Sequence, residues 1–325
     1  MKETADDEGE SLPVRATVLG GTGGIWRVLD ERGETREASM RGRLKQTGKG
    51  GGDEPLKLAV GDEVVIEADE RGGASWVIAE ILPRRSRLVR RAPGGAYGER
   101  VVVANVDQVV VVFAAAQPEP HPRMLDRFLV IAAANDIPAR IVINKIDLAS
   151  SDEVLVRFGN YQKAGYPLHL TSTVARIGLD KLAEALHGRV TAISGPSGAG
   201  KSSLLNAIYP GFNLRVGEIS RSVNKGRHTT VGASMHPLPP PESGFVVDTP
   251  GLREVGVWNV EPGELGRCFV EFRPFIESCR FRDCHHRAEP DCAVREAVAR
   301  GDVGAERYDS YLRLLEELEQ GSPAW

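Results

Sequence analysis

The sequence predicts three units in succession: a small all-β barrel of the OB type, an α/β domain built on a phosphate loop, and a mostly α-helical metal-binding unit. Three observations carry this. The N-terminal third is a series of short β-rich runs broken by glycine, and the middle alternates strand and helix patterns around Gly-x-x-x-x-Gly-Lys-Ser at 195–202. All four cysteines (Cys268, Cys279, Cys284, Cys292) fall in one short C-terminal segment. A chain of 325 residues with 41% hydrophobic and 26% charged residues has ordinary globular composition and room for two or three domains. No apolar run approaches a membrane span, and the acidic start MKETADDEGES lacks the apolar core of a signal peptide, so a cytoplasmic protein with no membrane partner is expected. The net charge of −4 means that a polyanionic partner would have to be met by local basic patches.

Residues 1–11 are acidic, carry no apolar periodicity and read as a disordered tail. In 12–92 the runs ATVLG, GIWRVLD, ASMRGRL, DEVVIEAD and ASWVIAEIL alternate with glycine turns. About five strands with no helical stretch indicate an OB barrel, though an SH3-like barrel would read much the same. The barrel carries Arg41, Arg43, Lys45 and Lys49 and is followed by the basic run Arg84–Arg91. Such a run is either a solvated linker or a set of phosphate contacts along RNA, and the barrel type favours RNA. Ala92-Pro-Gly-Gly-Ala then reads as a hinge.

From 93 to 258 the texture is α/β. Val106–Ala115 is a buried strand, Arg123–Asn135 has helical spacing, Ala139–Ile143 is the next strand and Leu179–His187 another helix. A further apolar run ends at Ile193, directly before the phosphate loop of Gly195, Pro196, Ser197, Gly198, Ala199, Gly200, Lys201, Ser202 and Ser203. Here the glycines let successive backbone N–H groups turn toward phosphate oxygens at a helix N-terminus. Lys201 would reach the β/γ-phosphates, and the Ser202 hydroxyl would ligate Mg²⁺.

The base is named by Asn144-Lys145-Ile146-Asp147. A carboxylate at a strand end accepts from both N1–H and the exocyclic amine of guanine, a donor pair that adenine lacks, so GTP and GDP are the expected ligands. Ser172 and Thr173 sit on a loop after a short strand, suited to a backbone contact with guanine O6. Phe245–Asp248 is a strand ending in Asp-x-x-Gly, with Asp248 placed for the Mg²⁺ water shell and Gly251 for the γ-phosphate. Between these motifs lie Gly226, Arg227, His228, Thr229 and Thr230, whose threonines, Thr230 in particular, could reach Mg²⁺. The order is unusual: the guanine motif at 144 precedes the phosphate loop at 195, whereas ordinary GTPases run the other way. One sheet can hold both only if this P-loop GTPase domain is circularly permuted.

In 259–325, Cys279-x4-Cys284-x-His286-x5-Cys292 forms a closed set of three thiolates and one imidazole, the pattern of a single structural Zn²⁺. Cys268 is left over as a packed thiol. The amphipathic stretch Ala305–Gln320 is a final helix expected to pack on its own domain.

Taken together, GPSGAGKSSLLNA, NKID, GRHTT, DTPGLREVGVW and CRFRDCHHRAEPDC resemble the small-ribosomal-subunit biogenesis GTPase family, RsgA (also called YjeQ or YloQ), over nearly the whole length. The resemblance implies GTP hydrolysis stimulated by the small (30S) ribosomal subunit during its late maturation, contact with its rRNA, and action as a monomer. Leu252 stands after Asp-x-x-Gly where other GTPases often carry a catalytic glutamine, and the resemblance makes His228 the candidate that positions water. Two departures are a glycine-rich insertion at Gly48–Asp53 and an end at Ser322–Trp325 without a basic tail, which leaves tail-mediated rRNA contacts in question. A nucleotide-gated RNA-binding module with incidental hydrolysis is the alternative. A metabolic P-loop kinase fits less well, because neither the barrel nor the guanine motif serves one.

Overall fold

A computed structural model of the chain describes residues 13–41, 57–69, 75–91, 99–212, 214, 233–248 and 260–320. The acidic tail, Arg43, Lys45, the insertion at Gly48–Asp53 with Lys49 inside it, the 92–96 hinge, Gly226, Arg227, His228, Thr229, Thr230, Gly251, Leu252 and the C-terminal Ser322–Trp325 lie outside the described residues.

Strands β1 (Val14–Thr22), β2 (Ile25–Asp30), β3 (Thr35–Met40), β4 (Glu63–Ala68) and β5 (Trp76–Ile81) close a barrel in the order β1-β2-β3-β5-β4. β1 pairs back to β4, and β3 runs parallel to β5. This Greek-key order decides for the OB type over the SH3-like alternative. Alternation along the strands sends Val14, Ala16, Val18, Val28, Val64, Ile66 and Ile78 into the barrel core.

The first two arginines of the basic run have partners within the protein, and its second half is a strand rather than a linker. The Arg84 guanidinium donates to both oxygens of the fully buried Asp62, at 2.6 and 2.8 Å, while Arg85 donates to Asp107 at 2.9 Å. These two arginines bind the barrel to itself and to the next domain. Residues Arg87–Arg91 form strand β6, antiparallel to β7 (Glu99–Ala104), with Leu88 and Val89 buried. Leu19 and Val60 of the barrel join the core of the central domain, so barrel and sheet share packed surface.

The central sheet has the order β10-β9-β8-β11-β13-β12. Its strands are β8 (Gln108–Ala114), β9 (Ala139–Asn144), β10 (Leu168–Leu170), β11 (Val190–Ser194), β12 (Ser234–Pro237) and β13 (Phe245–Asp248). All neighbours are parallel except β12 against β13. From β8 the chain moves outward to β9 and β10, and from β11 it moves the other way to β13. The strand order therefore reverses between β8 and β11, a topological switch point that opens a crevice at the strand C-termini.

Helix α1 (Pro122–Ala134) starts on a proline at its first turn, α3 spans Leu179–Leu186 and α4 spans Lys201–Ile208. Helix α2 (Ser151–Lys163) was not among the sequence expectations. Its signal is a capping box in which Ser150 and Glu153 each bond the other's backbone N–H, with Val154, Phe158 and Tyr161 buried on one face.

Short helices α5 (Leu265–Cys268) and α6 (Arg273–Ile276), then α7 (Ala293–Arg300) and α8 (Ala305–Gln320), surround Phe269, Phe272, Tyr311 and Leu315. Val130 of α1 belongs to the same cluster, so the final helix packs beyond its own domain. Arg307 of α8, 2% exposed, carries that contact: it donates to Glu271 at 2.7 and 3.2 Å and to Asp126 of α1, which also accepts from Tyr161 at 2.7 Å. The two carboxylates compensate the buried guanidinium, and its face lies 4.6 Å from the Phe269 ring centroid. Removing only the cation leaves two buried carboxylates without their counter-charge. Arg307→Met should therefore cost about 3–5 kcal/mol in urea denaturation, and much of that should return when Asp126 and Glu271 are also made apolar. An unchanged midpoint for the single variant would show that the triad does not hold these domains together.

Candidate functional site

The phosphate loop leaves β11 at the switch point and enters α4. Two of its glycines leave no room for a side chain. Gly195 has φ 129°, and a Cβ there would stand 2.0 Å from the Val112 carbonyl oxygen. Gly200 has φ 90°, and a Cβ would stand 2.5 Å from Asn144 Nδ2. Lys201 opens α4 at 4% exposure, and its ammonium curls back to donate to the carbonyls of Gly195 (2.9 Å) and Pro196 (2.8 Å). That holds a positive charge over the mouth of the loop. Ser202 is buried beside it, Ser203 is half-buried, and Ser197 and Gly198 are exposed. Asp248, 7% exposed, is paired in register with Ile193 at the end of the strand beside the one that feeds the loop.

At the other end of the crevice, β9 terminates in Asn144, which is 1% exposed and faces the loop rather than open space. Its Nδ2 donates to the Ala199 carbonyl at 3.0 Å, and its Oδ1 accepts from Thr171 at 3.2 Å. Lys145 adopts a left-handed φ of 60°, and its ammonium donates to the Gln117 carbonyl. Asp147 lies exposed in a single 3-10 turn and accepts from the hydroxyl of the buried Ser172, which in turn accepts from the Ala175 N–H at 3.0 Å. Thr173 follows, half-buried. The fold thus assembles Asn144, Lys145, Asp147, Ser172, Thr173, the 195–203 loop and Asp248 on one rim. Thr171 and Gln117 were missed in the sequence, where nothing distinguishes a threonine or a main-chain carbonyl that steadies a neighbour.

The third cluster lies in the helical unit. The ligand atoms of Cys279, Cys284, His286 and Cys292 all fall within 4.8 Å of one another. Cys279 Sγ and Cys292 Sγ are 3.9 Å apart, and each is 3.5 Å from His286 Nδ1. A tetrahedral ion about 2.0–2.3 Å from each ligand would separate its ligand atoms by about 3.3–3.8 Å, so the set is of a size to hold a metal ion. His286 takes a left-handed φ of 52°, and a Cβ on Gly266 would stand 3.1 Å from its ring, so that glycine leaves room for the imidazole.

Supports that sequence reading missed tie this loop down. The carbonyls of His286 and His285 accept from Tyr308 (2.7 Å) and Tyr311 (2.6 Å) of α8. Burial would raise the Glu289 carboxyl, but backbone N–H groups, including those of His285, Arg287 and Ala288, hold it down to about 2. Cys268 stays outside the cluster, buried against the Glu264 carbonyl, and burial pushes its thiol up to about 11.

Comparison with known proteins places the chain among relatives. The family model for the RsgA GTPase matches residues 81–258. The small ribosomal subunit biogenesis GTPase RsgA of Gemmatimonas aurantiaca is 58% identical over 301 residues, covering 93% of this chain and 96% of that protein. Its counterpart from Alkaliphilus metalliredigens is 37% identical, covering 94% and 98%. The crystal structure of YjeQ from Thermotoga maritima superposes with a TM-score of 0.77 at 35% identity, covering 96% of this chain and all of that one. YloQ, described as a circularly permuted GTPase, gives 0.74 at 30% identity, covering 99% and 100%.

Proposed function

From the premise that this chain belongs to the RsgA family of circularly permuted GTPases, we propose that it hydrolyses GTP to GDP and phosphate while assisting late maturation of the small ribosomal subunit. The observation that carries this reading is the tie between the two halves of the crevice. Asn144 of the guanine motif donates to Ala199 inside the phosphate loop, so base and phosphates would be gripped by one connected rim.

In this reading Asp147 accepts from guanine, with Ser172 fixing its carboxylate, and Lys145 covers the base side of the loop. Gly195 to Ser203 cradle the phosphates. Lys201 would exchange its two carbonyl partners for β/γ-phosphate oxygens, a stronger charge-assisted pairing. Ser202 and Thr230 would hold Mg²⁺, with Asp248 on its water shell and Thr229 nearby; the ion supplies charge neutralisation between the β- and γ-phosphates. Gly251 would sense the γ-phosphate. The Cys279, Cys284, His286 and Cys292 set would hold one structural Zn²⁺. Its soft, closed donor set suits that ion.

We take the division as residues 12–92, 93–258 and 259–325, with β6 and β7 pairing across the first border, and the chain as a cytoplasmic monomer contacting rRNA. Among the described residues no helix is long and apolar enough to cross a membrane.

Leu252 offers no hydrogen bond to water, so the proposed water-positioning group is His228. The small subunit should pellet the chain with a non-hydrolysable GTP analogue and not with GDP. His228→Ala should keep that co-sedimentation while losing subunit-stimulated turnover, because the interaction it removes belongs to the transition state. Binding that falls in parallel with turnover would make His228 a docking contact instead.

A further inference from the structure

The lower half of the central sheet carries a second polar cluster, on the face covered by α3. Parallel register places Val110 beside Arg140, Thr191 beside Gln108, and His169 beside Val142. Side chains two apart share a face, so Gln108, Arg140, Thr191 and His169 all belong to the face bearing Val110 and Val142, and Arg189 enters at its border. Above them, Leu179, Leu182 and Leu186 of α3 pack on Val110, Val142 and Ile193 and form a dry core. The polar row is the rim of that core; Gln108, Arg140 and Thr191 stand at the start of their strands, and His169 lies three residues before Ser172 of the nucleotide rim.

The row is built rather than incidental. Half-buried Arg140 is oriented by a 2.7 Å hydrogen bond from its Nε to Gln108 Oε1. Gln108 is itself 1% exposed and locked by bonds to Thr191 Oγ1 (2.9 Å) and the Ala185 carbonyl (2.7 Å). Beside it, His169 Nε2 is buried without a hydrogen-bond partner. Lys181 and Arg189 are exposed at the edge. Among the described residues none of Arg140, Lys181 or Arg189 has a carboxylate within ion-pair distance, although Asp180 and Glu184 lie on the same helix as Lys181. The nearby Asp107 is engaged with Arg85 and the Val190 N–H. Burial first, then the Arg140 guanidinium and the Lys181 ammonium, push the His169 ring below the usual histidine range. In a chain of net charge −4, such a cluster of uncompensated cations is a place for an external anion.

We propose that Arg140, His169, Lys181 and Arg189 form a phosphate-binding site that takes the RNA backbone, separate from the nucleotide crevice. Arg140 is the fixed, planar donor that a phosphodiester suits, and Lys181 and Arg189 add flexible charge at its mouth. The site rests on the ribosomal reading above and adds a docking face to it. Of the basic residues that the sequence offered for this task, Arg84 is bonded to buried Asp62, and Arg85 is paired with Asp107 at the surface.

The test is equilibrium binding of the full chain to purified small subunits, and to protein-free rRNA from them, over a salt series. Lys181→Gln/Arg189→Gln alters only exposed side chains, and Arg140→Gln is examined separately. For the double variant, the slope of log K against log salt should become shallower by about 0.7–0.9 for each phosphate that is no longer neutralised, with GTP affinity unchanged. Equal slopes for wild type and both variants would overturn the site. Inorganic phosphate that shifts the His169 ring resonances and is not displaced by rRNA would assign the cluster to a free anion and overturn RNA as its occupant. A wild-type chain that binds neither subunit nor rRNA would sink the ribosomal reading and this site together, whereas wild-type binding with unaltered variants sinks this site alone.

Discussion

Asp147→Asn should lower GTP affinity by about 10²–10⁴-fold and raise affinity for xanthosine triphosphate. The carboxylate is proposed to accept two hydrogen bonds from guanine, and bonds to a charged group contribute about 1.5–3 kcal/mol each. An amide keeps one acceptor and gains a donor that matches the 2-oxo group of xanthine. The fold supports a clean exchange, because Asp147 sits on an exposed 3-10 turn whose backbone Ile146 N–H is fixed separately by the Thr171 carbonyl at 3.2 Å. Ser172, which donates to Asp147, can donate equally to an amide oxygen. Nucleotide titration reads the result, and unchanged GTP affinity would remove Asp147 from base recognition.

Cys284→Ser should take the metal content from one Zn²⁺ per chain to none and unfold much of the segment around Phe269 and Tyr311. Structural zinc contributes about 10–16 kcal/mol of binding free energy that is also folding free energy, and the three short helices there cannot replace it. Tyr308 and Tyr311 bond the carbonyls of His286 and His285, so loss of the loop should propagate into α8. Elemental analysis and limited proteolysis of residues 260–320 measure both effects. Cys268→Ser should change neither, since that thiol lies outside the cluster. GTP affinity should survive Cys284→Ser, because the nucleotide rim draws no residue from this segment. A metal-free wild-type protein of undiminished stability would contradict the zinc assignment.

What could be read from the sequence follows how local each requirement is. A phosphate loop needs glycines at set positions because of backbone geometry at Gly195 and Gly200, and that need is written in consecutive residues. The same holds for the Cys/His spacing, where four ligands within one loop must reach one point. Helix α2 was equally local, with Ser150 three residues before Glu153, and could have been found from its capping box.

The arginines were not legible in this way. Arg84 meets Asp62 across 22 positions of sequence and Arg307 meets Asp126 across 181, so only the folded chain distinguishes a buried ion pair from a solvated or RNA-facing charge. Asn144 is intermediate: its motif was plain, but its bond to Ala199 lies 55 positions away and appears only when the permuted strands come together.

The central claim is that this nucleotide rim works as a GTPase governed by the small ribosomal subunit. It is tested most directly by GTP turnover of the purified full-length chain, measured alone and with purified small subunits, with large subunits as the control. Slow turnover alone, a rise of at least tenfold with small subunits and no rise with large subunits is the predicted result. Turnover that is the same in all three conditions would contradict the account and favour a nucleotide-gated RNA-binding module whose hydrolysis is incidental.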